Sequence, residues 1–147
     1  MFFDTTDLQN QEIYLRLYKT ADENIEKGYV PAYYFKIVRC DDNTEVGQCD
    51  LRIGYNDNIK YGGNIGYEIY KSFRGNHYAS KACELLFMLA KKHKMDEVII
   101  TCSPENMASR KTCEYCGAEL IGIIDVPTCH QLYKMGQRKT CQYIVRL

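Results

Sequence analysis

Asn64-Ile-Gly-Tyr-Glu-Ile-Tyr-Lys-Ser-Phe-Arg-Gly-Asn-His-Tyr-Ala-Ser-Lys-Ala82 is the stretch that decides the fold of this chain. Asn64 to Tyr70 has the aromatic and β-branched content of a strand. From His77 the period changes, and Ala79, Ala82, Cys83, Leu86 and Ala90 fall on one face of a helix running to about Lys92. Arg74-Gly75-Asn76-His77-Tyr78-Ala79 is therefore a strand-to-helix turn. Such a turn points several backbone N–H groups at one spot, at the positive end of a helix dipole, and can hold a pyrophosphate without any side chain. A plain structural turn has the same spacing. The stretch carries neither the Gly-x-Gly-x-x-Gly of dinucleotide folds nor the Gly-Lys-Ser/Thr of P-loops.

Outward from this stretch, Ile13 to Tyr18 reads as a strand and residues 19–31 as a polar stretch with one helical turn. Ala32 to Arg39 and Glu45 to Ile53 read as a hairpin across the turn residues 41–44, and Gly54 to Lys60 as a loop. Downstream, Val98 to Cys102 is a short buried strand, Asn106 N-caps a second helix that Gly117 closes, and Leu120 to Val126 and Cys141 to Val145 are the last strands. The expected fold is α/β: a single mixed, mostly antiparallel sheet of six to seven strands with two main helices, in one domain over residues 1–147.

Composition narrows the function classes. The chain has 147 residues, 46% hydrophobic and 26% charged, enough to bury a core without a metal or disulfide staple. Nineteen basic and nineteen acidic residues cancel, so no global field attracts nucleic acid or a membrane surface. The longest plain apolar run, Leu85 to Ala90, is far short of a membrane span, and Met1-Phe2-Phe3-Asp4 carries an acid where a secretory signal carries a base. A cytoplasmic protein with eight reduced cysteines is expected. Neutrality hides segregation: residues 1–30 hold six acids against three bases, and residues 71–94 hold six bases against Glu84 alone. A basic segment beside a helix start suits a phosphorylated ligand, whereas Lys91, Lys92 and Lys94 read as a solvated helix face.

The quoted stretch resembles the acetyl-coenzyme A binding motif of the GNAT N-acetyltransferases: a strand, then Arg/Gln-x-x-Gly-x-Gly/Ala, then a long helix. Arg74 and Ala79 match its ends, and His77 stands in place of the inner Gly. Cys102-Ser-Pro-Glu-Asn106-Met-Ala-Ser109, followed by Cys113-Glu-Tyr-Cys-Gly117, resembles the Asn-x-x-Ser helix of the branch containing ribosomal-protein N-terminal acetyltransferases. The likeness covers about residues 33–147, and the region between the first two strands, where the family usually has two helices, is short here. The resemblance implies that backbone amides of Arg74, Gly75, Asn76, His77, Tyr78 and Ala79 hold the coenzyme pyrophosphate. It implies that the backbone of Ile69, Tyr70 and Lys71 runs beside pantetheine, where the sheet splays before Val98, and that Asn106 bonds the pantetheine arm. Acetyl-CoA would be the cosubstrate, with no metal, and a small-molecule, peptide or protein amine the acceptor. Homodimers are common in the family.

Direct acetyl transfer needs a neutral amine, a stabilised oxyanion and a proton for the leaving thiolate. A strand N–H near Ile69 or Tyr70 can serve the oxyanion. Glu68 is the only carboxylate on its strand and is the first choice of base; alternation equally lets it face solvent. Ser109, one turn into the second helix, is the thiolate acid or else a first-turn serine bonded to backbone. Tyr67 and Tyr115 are alternatives. Relatives with a catalytic Tyr one turn before the closing Gly carry it where this chain has Cys113, so that role does not transfer. A catalytically silent acyl-CoA-binding domain is the rival function. Cys113-x-x-Cys116 with Cys129 and His130 has the ligands for a zinc site, but reads as one face of a helix, and Cys40, Cys49, Cys83 and Cys102 fit core or sheet positions. Residues 128–137 read as a flexible loop over the acceptor site.

Overall fold

Alternation builds the first sheet. A computed structural model describing residues 2–147 has strands Ile13–Ala21 (β1), Ala32–Arg39 (β2), Glu45–Arg52 (β3) and Ile65–Ile69 (β4), antiparallel throughout and in that order. Tyr33, Phe35 and Ile37 of β2 point inward with no exposed surface, while Tyr34 and Lys36 face the other way. No helix occurs between β1 and β2: the helical turn expected there is a tight hairpin-like loop, closed by the bridge between Asn24 and Tyr29 with Gly28 at φ 72°. The segment read as a loop before β4 instead contains a short helix, Asp57–Gly62 (α1), N-capped by Asn56, whose side chain accepts from the Ile59 N–H.

After β4 the chain makes one 3₁₀ turn, Lys71–Phe73, and enters the long helix Tyr78–Lys92 (α2). The expected face is buried, and Leu85 and Leu89 widen it, packing α2 on the inner face of the sheet beside Phe35, Ile37 and Leu51. The strands Glu97–Cys102 (β5), Glu119–Asp125 (β6) and Lys139–Arg146 (β7) form a second antiparallel sheet in the order β5-β7-β6. Between β5 and β6 lies Met107–Tyr115 (α3), and the segment read as a loop before β7 holds one helical turn, Gln131–Lys134 (α4).

The seven strands match the expected number but are hydrogen-bonded as two sheets rather than one. They are joined at one buried residue. The Asn64 N–H donates to the Ile99 carbonyl (2.6 Å), and its side-chain oxygen accepts from the Ile99 N–H (2.9 Å). Its amide nitrogen also donates to the carbonyls of Arg52 and Gly54. Beyond Asn64, β4 bonds only to β3 and β5 only to β7, so the two strands part in a V.

Candidate active site

The V opens toward the turn that starts α2. Gly75 has φ 91°, with open space where a side chain would project. His77 is the N-cap of α2 in the left-handed conformation (φ 61°, ψ 23°), which explains why the family motif favours Gly at this position. Its imidazole gives the helix no cap bond, and stacks on the Tyr115 ring of α3 with centroids 4.2 Å apart and planes 13° from parallel. The first-turn N–H groups of α2 therefore have no side-chain cap and are available to an anion. The Arg74 Nε donates to the Ile69 carbonyl at 3.0 Å, tying the turn to the end of β4. The segregated charges also meet in space: Lys81 pairs with Glu12 and Lys92 with Asp7. Lys71 and Arg74, at the turn itself, make no ion pair among the described residues.

On the helix side of the V, the Asn106 side-chain oxygen accepts the Ser109 N–H (3.1 Å), which leaves the Asn106 amide nitrogen as a donor. With its N–H so capped, Ser109 turns its hydroxyl to the Tyr67 hydroxyl of β4 at 2.6 Å. Burial pushes the Tyr67 phenol far above its ordinary value, so it stays protonated. Cys113 is fully buried beside this pair, and its free thiol is raised by hydrogen bonding with the Cys102 thiol and by burial. Cys102, at the end of β5, is lowered to about 7 by the Cys113, Ser109 and Cys141 side chains around it; Cys141 is its cross-strand partner. Tyr115 is exposed and engaged with His77 rather than with this hydroxyl pair. Among the described residues, no group of three or more His, Cys, Asp or Glu side chains is arranged to hold a metal ion. Cys113 ends a helix while Cys129 is exposed on a separate loop.

Glu68 lies on the opposite face of β4 from Tyr67, exposed, across from Gln48 of β3. Glu68 and Ser109 therefore flank the V from its two sides. The outer face holds a cavity of about 300 Å³ lined by Tyr18, Tyr34, Gln48, Asp50, Tyr67 and Glu68. Asp50 was missed from sequence. Its carboxyl lies over Gly66, where an added Cβ would come within 2.6 Å of Oδ1, so β4 needs glycine there. Oδ2 sits 3.0 Å from Arg52 Nε, buried and without an aligned hydrogen bond. Burial raises the Asp50 pKa, against the pull of Arg52. An aspartate inside a strand, where the residue is disfavoured, was the available signal.

β4 splays from β5 beside the uncapped start of α2, and residues 2–119 match the family model of the acetyltransferase (GNAT) domain. The chain belongs to the GNAT acetyltransferase family. No curated protein is a significant match to the sequence. Among solved structures it is similar to one described as a ribosomal-protein-serine acetyltransferase from Vibrio cholerae, with TM-score 0.70, 17% identity, and 98% of this chain and 100% of that one covered. It is also similar to a Salmonella typhimurium acetyl transferase that modifies the N-terminal serine of ribosomal protein L7/L12, with TM-score 0.61, 20% identity and 83% and 66% coverage. The microcin C7 self-immunity acetyltransferase MccE, solved with acetyl-CoA and AMP, matches with TM-score 0.62, 19% identity and 79% and 61% coverage. The chain thus spans just under two thirds of the length of the latter two structures.

Proposed function

We propose that residues 1–147 act as a single cytoplasmic domain that moves an acetyl group from acetyl-CoA directly to a primary amine. The observation that carries this reading is the V between β4 and β5, set against the uncapped start of α2. Acetyl-CoA fits these residues. The amides of Arg74 to Ala79 would hold the pyrophosphate, the backbone from Ile69 to Lys71 and the Asn106 amide would hold pantetheine, and a β4 N–H near Ile69 or Tyr70 would bond the oxyanion. Glu68 would take the amine's proton on the outer side, through water, and Ser109 would protonate the departing thiolate on the helix side. The 2.6 Å contact with Tyr67 supports the Ser109 role, because a phenol held protonated can replace the proton that Ser109 gives up. β6 is an edge strand exposing Leu120, Ile121 and Ile123, a surface on which a second copy would pair if the chain forms the homodimer common in the family.

A catalytically silent acyl-CoA-binding domain is the second reading, favoured by the burial of Cys113 where relatives carry tyrosine. Glu68→Gln separates the two. For an active enzyme it lowers turnover and moves the pH profile while acetyl-CoA affinity is unchanged; unchanged turnover removes Glu68 as the base.

A further inference from the structure

The absence of helices between β1 and β2 leaves the outer face of the first sheet uncovered, and the cavity there is where an acceptor would meet the V from the side opposite α2. Its chemistry is specific. Tyr18 and Tyr34 line it and pack against each other, with centroids 6.2 Å apart and planes 56° from parallel. Each ring already carries an ammonium of the chain itself: Lys36 Nζ lies 4.5 Å from the Tyr18 centroid, and Lys19 Nζ lies 4.5 Å from that of Tyr34. Lys36 is further held by Gln48 (3.1 Å). Those two ring faces are therefore already engaged by lysines of the chain, which leaves the carboxylates to hold a ligand cation. Asp50 lines the same cavity with Oδ1 over Gly66, where Arg52 Nη2 also lies, and with Oδ2 3.0 Å from Arg52 Nε. Glu68 follows Gly66 by two residues on the same face, about 7 Å along the strand.

We propose that Asp50 docks the acceptor as its ammonium ion, so that the acceptor is a small, unhindered, positively charged primary amine. This rests on the acetyltransferase reading above. Asp50 is a positioning residue: it holds the nitrogen between itself and Glu68, and Glu68 then takes the proton that must leave before attack. Arg52 holds the Asp50 carboxylate through Oδ2, and the incoming ammonium takes Oδ1. A cavity of about 300 Å³ lies at the small end of ligand sites and suits a compact amine.

The division of labour gives a kinetic signature. With short primary alkylamines as acceptors, Asp50→Asn raises the amine KM about tenfold or more, the loss expected of one charge-assisted bond. It leaves kcat within about threefold and acetyl-CoA affinity unchanged, and Asp50→Glu recovers part of the KM. In the wild type, unreactive methylguanidinium, a planar cation that keeps N–H donors, competes with the amine, whereas an alcohol of similar size does not. An unchanged KM in Asp50→Asn overturns the proposal. If that variant does not fold, equal inhibition of the wild type by the alcohol and methylguanidinium overturns it instead. Wild-type protein that binds acetyl-CoA but acetylates no amine removes the underlying reading and this one together; wild-type turnover with an insensitive Asp50→Asn removes this one alone.

Discussion

Ser109 shows how one side chain acquires a role from its surroundings. Its N–H is satisfied by Asn106, so its hydroxyl is not spent on the helix end and instead meets Tyr67. Ser109→Ala is expected to slow the chemical step by about 10²-fold, the lower end of general acid effects. Single-turnover kinetics distinguishes this from lost binding; an unchanged chemical step assigns the proton to another group. His77 makes a different claim. Its left-handed backbone favours glycine, so His77→Gly should be more stable than His77→Ala by about 1 kcal/mol, since both lose the Tyr115 stack but only one keeps the strain. Denaturant midpoints that rank alanine higher contradict this. Cys102 should react with alkylating agents with half-maximal rate near pH 7, not near 9, because the groups around it favour the thiolate. The ionised form it favours stabilises the fold at alkaline pH, a contribution lost as pH falls through about 7. Peptide mapping of labelled protein reads the rate for Cys102 apart from exposed Cys129. Of these residues, Asn106 and Ser109 were legible because their motif is local. The Tyr67–Ser109 pair and Asp50 were not, because each depends on strands or helices far apart in sequence.

The strands and long helices were legible because their periods differ: two for β2 and β3, and the helical period for α2. The short helices α1 and α4 were hidden among turn-forming Gly, Asn and Asp, since four to six residues set no period. The splay before Val98 followed from the family resemblance, but the clip at Asn64 was hidden, because its partners lie far off in sequence. Asn64→Ala leaves the Ile99 N–H and the Arg52 and Gly54 carbonyls without their partner. At about 1–3 kcal/mol for each buried polar group left unsatisfied, unfolding should become easier by several kcal/mol. A loss below about 1 kcal/mol means that Asn64 is not the clip joining β4 to β5. Gly47 tests the β3–β4 pair: a Cβ there would lie 2.3 Å from the Glu68 carbonyl, so Gly47→Ala forces backbone to move. The expected cost is about 1–3 kcal/mol, read from chemical denaturation.

At the scale of the molecule, the neutral net charge conceals an arrangement in which the acidic N-terminal segment lies against α2 through Asp7 and Glu12, while Lys71 and Arg74 at the turn that starts α2 make no ion pair among the described residues. The helices missing between β1 and β2 were legible as a short segment, but their consequence was not: an outer sheet face open to an acceptor, with Glu68 and Asp50 on it. In the proposed reaction the helix side serves the coenzyme and the open side the amine, and the V joins them. The most direct measurement is coenzyme A thiol release by purified protein given acetyl-CoA, with and without small primary amines, and mass detection of the product. The expected result is thiol release that depends on the amine, with one acetylated amine formed for each thiol released. Acetyl-CoA that binds but is never transferred, whatever amine is supplied, would contradict it.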